Sequence, residues 1–257
     1  LAVVDSLRDP YRRELGQLGT TALADSQEML GVMRAAASIT RQGQCRAPTV
    51  ADIPCGVAIS FAFRGSLNCM GKLIYGFNVS LDGYIADAQG NIDWSEPSEE
   101  LHQSWNDFER ETALAFYGRR LYELMSAYWP TADQAPDATP IIIDFARIWR
   151  DMPKVVFSRT LQSVDWNSRL ERGDPVEVVR RLKAETEGHL EVAGATLAAP
   201  IVQAGLVDEF RIVVAPTAVG GGTPFFPNLP SWISLRLLEN RTFPGGTVLL
   251  RYEAKRD

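Results

Sequence analysis

Residues Leu73 to Ser80 alternate in character: Leu73, Tyr75, Phe77 and Val79 fall on one face, and Ile74, Gly76, Asn78 and Ser80 on the other. A period of two is the mark of a strand, because successive side chains point to opposite faces. The run breaks at Asp82-Gly83. In an α/β protein, polar residues leaving the carboxyl end of a buried strand face the crevice where ligands bind. That makes Asn78, Ser80, Asp82 and Gly83 the first candidate site residues. The competing reading is a plain turn, since Asp and Gly tolerate the backbone angles that turns demand; the residues alone leave both open.

The chain after Met70 continues as alternating strand and helix patterns, which predicts an α/β fold. Ser98 to Thr112 reads as a helix with Ser98 as its cap and Leu101, Trp105 and Phe108 at near-helical spacing. Strands are expected at Ala113 to Tyr117 and Lys154 to Ser158. Thr139 to Asp151 suits a helix, but its Ile141-Ile142-Ile143 run also suits a strand. The local grammar is fullest at Pro175 to Glu187, where Asp174 can cap, Pro175 fits the first helical position, Glu177 completes a capping-box-like pattern and Gly188 closes the helix. A strand at Leu190 to Ala193, a helix at Thr196 to Ala204 closed by Gly205, and a strand through Phe210, Ile212 and Val214 follow. Ser234 to Arg241 and Thr247 to Glu253 read as a β-hairpin around Pro244-Gly245-Gly246.

Residues 1–69 lack such patterning. Weak helical patterns at Arg12 to Leu18 and Ser26 to Ala37 do not amount to a second core, and the apolar run Gly56 to Phe63 is too short to span a bilayer. The segment is expected to be a poorly ordered extension, or to lie upstream of a natural start at Met70, with residues 70–257 as the domain. Cys45, Cys55 and Cys69 match no zinc spacing, and the two histidines, His102 and His189, lie far away in sequence. No metal is expected. A net charge of -6 and a pI near 5.1 lack the electrostatic footprint of a nucleic-acid binder. The expected partner is a small molecule, in the cytoplasm, with no nucleic acid and no membrane.

Several short segments, in order, carry a family resemblance. The stretch KLIYGFNVSLDGYIA from Lys72, then Gly118-Arg119-Arg120-Leu121-Tyr122-Glu123, Lys154 to Thr160, Val192 to Leu197, and Gly205 to Glu209 running into Gly220-Gly221-Gly222-Thr223-Pro224 together resemble the dihydrofolate-reductase-like superfamily. The likeness is to the reductase domain of the riboflavin-biosynthesis deaminase-reductase (the RibD C-terminal type) in its stand-alone form. The resemblance implies a three-layer sandwich with a central, mostly parallel sheet and a C-terminal hairpin. It also implies NADPH as cofactor and a homodimer.

The resemblance places the cofactor on Gly118, Arg119 and Arg120, on Ser158, Arg159 and Thr160, on Gly194, Ala195 and Thr196, and on Gly221 and Gly222. The residue types suit that use. Backbone N–H groups at a helix start attract phosphate, and arginine offers a planar, permanently charged fork for the 2'-phosphate. Glycine lets backbone approach a diphosphate closely. Surface salt bridges for the arginines, a strand-ending turn for Ser158 to Thr160, and a linker for Gly220 to Gly222 are the competing readings. The sequence departs from its relatives at Ala193, where they commonly have Gly, and at Leu121, where many have Thr. Trp94, Trp129 and Trp149 could be core or could flank a flat heterocycle.

The function implied is NADPH-dependent reduction of a small heterocycle, of the type of 5-amino-6-(5-phosphoribosylamino)uracil. Asp82 is the expected proton relay, and Asn78, Ser80 and Gly83 are expected to orient the substrate. The zinc-ligand signature of a preceding deaminase domain is absent. A pterin or dihydrofolate reductase is one alternative, and a non-catalytic nucleotide-binding regulatory module another.

Overall fold

A computed structural model describes residues 71–256, so the expectations for residues 1–69 lie outside the described residues. Its strands are β1 (Lys72–Val79), β2 (Tyr84–Ala86), β3 (Thr112–Gly118), β4 (Lys154–Phe157), β5 (Ser168–Glu171), β6 (His189–Ala193), β7 (Glu209–Val214), β8 (Thr223–Pro224), β9 (Leu235–Thr242) and β10 (Val248–Ala254). Eight form one sheet in the order β5-β4-β3-β6-β1-β7-β10-β9, while β2 pairs with β8 in a small separate ribbon. Pairing is parallel from β5 through to β7. β10 runs antiparallel to both β7 and β9, and the β9-β10 hairpin turns on Gly245 and Gly246, both at positive φ.

The alternating run thus becomes the strand between β6 and β7, at the sheet's centre. Leu73, Ile74 and Tyr75 are almost fully buried there, as expected of a parallel strand covered on both faces.

The helices are α1 (Glu99–Glu111), α2 (Arg119–Tyr128), α3 (Pro140–Asp151), α4 (Pro175–Glu185) and α5 (Ala195–Gln203). α4 and α5 pack on the face that carries Leu73 and Tyr75, burying Val179, Leu182, Leu197 and Ile201 against them. On the opposite face α2 and α3 pack Tyr122, Met125, Ile142, Phe145 and Trp149 against Ala115, Tyr117, Val156 and Ala193. α1 shares this second face, with Leu101 packed on Val213, Phe243 and Leu249. Three layers result, a central mostly parallel sheet between two helical ones, as expected.

Capping explains where the helices begin. Ser98 Oγ accepts from Leu101 N at 3.3 Å. At α3, Thr139 Oγ1 accepts from Ile142 N, and Pro140 occupies the first helical position. Those two features settle the Ile141 to Ile143 ambiguity in favour of helix, since Ile142, Phe145, Ala146 and Trp149 then share the buried face. At α4, Asp174 Oδ1 accepts from Val176 N and Glu177 N. The expected reciprocal half of a capping box is replaced by an ion pair from Glu177 to Arg180. α4 also stops at Glu185, earlier than expected, and Gly188 instead turns the chain into β6 at φ +92°.

Candidate active site

The turn that leaves β1 is held together from within. Ser80 is 1% exposed; its N–H donates to Tyr84 O, its Oγ accepts from Tyr84 N at 3.0 Å, and Gly83 N donates to Ser80 O. Gly83 sits at φ +88° and its carbonyl accepts from Phe225 N. Ser80 and Gly83 therefore build the turn. Asn78, by contrast, lines a cavity, where its Oδ1 accepts from Trp105 Nε1 at 3.1 Å.

Asp82 is tied to the chain as well. Its Oδ1 accepts from Val219 N at 3.1 Å and its Oδ2 from Gly220 N at 2.7 Å. The Ser80 hydroxyl and those two amides hold the carboxyl down at about 2. A carboxylate held ionised in this way, with both oxygens engaged, anchors the glycine-rich loop. Because the folded value lies below the unfolded one, this anchoring is fully present above the ordinary carboxylate range and is lost as pH falls through about 2. The Val219 and Gly220 amide resonances are accordingly expected to titrate with a midpoint near 2, not near 4; an NMR titration with an unshifted midpoint would remove the anchor.

Within the anchored loop, Gly222 has φ +138°. A Cβ there would lie 2.0 Å from Ala86 O, so the missing side chain serves the approach of β8 to β2. Gly221 has no atom within 4 Å of such a position. Beyond it, Phe225 stacks on Tyr75 with ring centroids 4.4 Å apart, fastening the loop to the core.

Three of the four cofactor segments meet where the neighbouring strands β4, β3 and β6 end. Gly118 ends β3 and is the N-cap of α2; Gly194 follows β6 and is the N-cap of α5. β3 and β6 are neighbours. Neither cap has a side chain to bond the first-turn N–H groups, so both helices present donors and the positive end of their dipoles there. The helix starts abut. A Cβ on Gly118 would sit 3.7 Å from Leu197, and one on Gly194 3.7 Å from Leu121, with Gly194 at φ +99°. Ala195 and Thr196 open α5 beside them.

Arg119 links these helix starts to the loop after β4. Its Nε donates to Glu123 Oε1 at 2.9 Å and its Nη1 to Thr160 Oγ1 at 2.7 Å. Arg120 is the next, exposed residue of the same helix. Ser158 Oγ accepts from Thr160 N and Leu161 N, the turn-building use that competed with the ligand reading. The Arg159 carbonyl accepts from Arg172 Nη1.

Next to these helix starts a cavity of about 130 Å³ opens between the strand ends and α1, α2 and α3, lined by Asn78, His102, Trp105, Leu121, Met125, Phe145 and Ala193 among others. Burial pushes His102 down to about 4, so its imidazole is neutral at physiological pH. Trp129 and Trp149 are wholly buried in the core beside it, which settles their role; Trp94 instead donates its Nε1–H to Asn91 O in the loop after β2.

Two cavity residues escaped the sequence reading: Glu109 of α1 and Glu191 of β6. They are 8% and 4% exposed and lie against each other, one carboxyl hydrogen-bonding the other. Burial raises both above the usual carboxylate range, Glu109 to about 7 and Glu191 well upward; Glu109 raises Glu191 further by its charge and hydrogen bond, whereas the hydrogen bond from Glu191 lowers Glu109. A signal existed. Glu109 falls on the apolar stripe of α1, four residues after Trp105, and Glu191 interrupts a buried strand between Leu190 and Val192.

The fold and this site define an α/β domain of the reductase-like type, and comparison makes the family specific. Residues 71–249 match the RibD C-terminal domain, and the chain belongs to that family. The uncharacterized protein YyaP of Bacillus subtilis (strain 168) is 29% identical over 182 residues, spanning 70% of this chain and 94% of the relative. A crystal structure of a protein attributed to riboflavin biosynthesis, from Shewanella sp. PV-4, is similar at a TM-score of 0.58 and 23% identity, over 72% of this chain and 99% of that one. The deaminase and 5-amino-6-(5-phosphoribosylamino)uracil reductase of Thermotoga maritima is similar at a TM-score of 0.51 and 14% identity, over 72% of this chain and 57% of that one. Among the described residues no group of three or more His, Cys, Asp or Glu could hold a metal, and no helix is long and apolar enough to cross a membrane.

Proposed function

We propose that the chain is an NADPH-dependent reductase of a small nitrogen heterocycle, with a substrate of the 5-amino-6-(5-phosphoribosylamino)uracil type. The observation that carries this reading is the convergence of two glycine-capped helix starts with the Arg119-Thr160 contact at the ends of adjacent strands. A set of uncapped N–H donors beside a guanidinium fits a phosphate-rich dinucleotide. When bound, NADPH supplies the hydride.

The chain's own residues do the rest. The first-turn N–H groups of α2 and α5 receive phosphate, and Arg119 reads the 2'-phosphate while Glu123 and Thr160 hold its fork in place. The adjoining cavity, walled by Leu121, Met125, Phe145 and Trp105, shields the heterocycle from water. Asp82 works at a distance, fixing the loop that pairs with β2, and through β2 the position of Ile85 in the cavity wall.

Equilibrium titration with NADPH and with NADH tests the reading, followed by NADPH oxidation assays with the ribosylaminopyrimidine and with dihydrofolate. NADPH is expected to bind about tenfold or more tightly than NADH, the value of one charged contact, and to be consumed with the pyrimidine. Consumption with dihydrofolate alone would move the substrate to the pterins. Binding without turnover of either would leave a nucleotide-binding module, and absence of binding would end the reductase reading.

A further inference from the structure

We infer that Glu109 and Glu191 form the recognition floor of the cavity, a carboxyl pair that receives the N–H edge of a planar, uncharged nitrogen heterocycle and excludes rings carrying a carboxylate. This rests on the reductase reading for why such a ring should be there, and it adds which edge of the ring is read and by which residues.

The two carboxyls are unfinished as a structural feature. Neither Glu109 Oε2 nor Glu191 Oε2, both fully buried, receives a hydrogen bond from a protein donor. An unsatisfied buried carboxyl is costly, so a pair left this way on a cavity wall awaits donors from outside the protein.

The nearby cations do not bond the pair, although the buried Nε of Arg211 also lacks an acceptor. Lys154 of β4 donates its Nζ to Trp149 O at 2.5 Å and Met152 O at 2.7 Å, at the end of α3. Arg211 of β7 donates Nη2 to Ser104 O and Oγ, with its guanidinium carbon 4.7 Å from the Phe108 ring and 5.2 Å from that of Trp105. They moderate the charge of the pair from a distance without bonding it.

The remaining lining is mostly apolar, with Phe77, Ile85, Leu121, Met125 and Phe145 in the walls. A volume of about 130 Å³ suits a single ring, since a cavity of about 150 Å³ takes up one benzene. Apolar walls with buried, unpaired acceptors suit a flat ring that meets them with its edge.

The pair's ionisation gives the inference a pH signature. Of the groups facing it, Tyr117 of β3 stays a neutral phenol because burial raises it, and His102 of α1, which feels Asp144 of α3, is already neutral above about 4. Lys154, lowered by burial to about 8, and Arg211 remain cationic through neutrality. The carboxyl pair is thus the group that changes between acid and neutral pH: it carries both protons in acid and releases the first near 7. The singly ionised pair is the better acceptor for N–H donors.

The test uses 6-aminouracil as the probe and orotate, a similar ring bearing a carboxylate, as its counterpart, titrated against the full chain. The 6-aminouracil affinity is expected to rise about tenfold between about pH 5.5 and about pH 8, while orotate binds at least tenfold more weakly at the higher pH. Glu109→Gln and Glu191→Gln should each weaken 6-aminouracil about tenfold and flatten its pH dependence. Thermal unfolding of both variants is expected to be little changed, because a glutamine keeps the size and the donor and acceptor capacity of the protonated carboxyl it replaces. Should a variant fail to fold, the wild-type chain still decides the matter. The infrared carbonyl band of a protonated carboxyl, present at neutral pH, must shift when 6-aminouracil binds.

Equal affinities for the two rings, a flat wild-type pH profile, or an unmoved infrared band overturns the proposal. NADPH binding is measured on the same samples. Aminouracil binding that depends on both carboxyls in the absence of NADPH binding supports the proposal and overturns only the reductase reading. NADPH binding with aminouracil binding indifferent to both carboxyls does the reverse.

Discussion

Gly222→Ala is expected to be among the most destabilising single-methyl changes in the described fold, lowering stability by about 3 kcal/mol through overpacking and a strained positive φ together. The new Cβ would lie 2.0 Å from Ala86 O and 2.5 Å from Asp87 C, both backbone atoms with little room to yield. The β2-β8 pairing of Tyr84 with Pro224 and Ala86 with Thr223 must open to admit it. For a domain of this size that corresponds to a melting temperature lower by about 10 °C. Gly221→Ala is the control. It also sits at positive φ, at +150°, but meets no atom within 4 Å, so it bears backbone strain alone. Equal melting temperatures for the two variants would show that the close approach contributes nothing. Because Ile85 lies on β2 and in the cavity wall, the Gly222 change should also weaken ligands of the cavity.

Local chemistry made much of the fold legible. The period of two from Leu73 to Ser80 predicted the strand β1, and the Asp174-Pro175 pair predicted the start of α4, because both patterns are written within a few consecutive residues. The Ile141 to Ile143 run was ambiguous for the converse reason. Three branched residues in a row satisfy either period, and only the Thr139 cap and the placement of Trp149 decide between them.

The site was legible in its segments and not in its assignments. Asp82 was visible as a polar residue leaving a strand, yet the amides that engage it belong to residues 137 and 138 positions away, and no spacing reveals that distance closed. The same holds for Glu109 and Glu191. Each is conspicuous as an acid in an apolar pattern, but their meeting depends on the register that sets Glu191 between Ile74 of β1 and Ala115 of β3, beneath α1. Ser158 and Ser80 show a second kind of distance between segment and assignment. Their hydroxyl oxygens accept from local N–H groups, a common use of a serine at a turn that neighbouring sequence alone does not separate from ligand binding.

Arg119→Ala should weaken NADPH by about tenfold to a hundredfold and leave NADH nearly unchanged, since hydrogen bonds to charged groups are worth about 1.5 to 3 kcal/mol and only NADPH carries the 2'-phosphate. The guanidinium is held by Glu123 at 2.9 Å and Thr160 at 2.7 Å, so it is preorganised on the surface instead of being recruited from a mobile ensemble. That geometry separates charge from shape. Arg119→Lys keeps the charge but loses the planar fork, and should recover only part of the affinity. Thr160→Val keeps Arg119 and removes its hydroxyl partner, so a smaller loss confined to NADPH is expected. The pair with Glu123 is solvent-exposed, and breaking it should scarcely alter folding. Equal weakening of NADPH and NADH in Arg119→Ala would mean that the residue supports the shared dinucleotide or the local fold. The choice between cofactors would then fall to Arg120, the neighbouring exposed arginine at the start of α2.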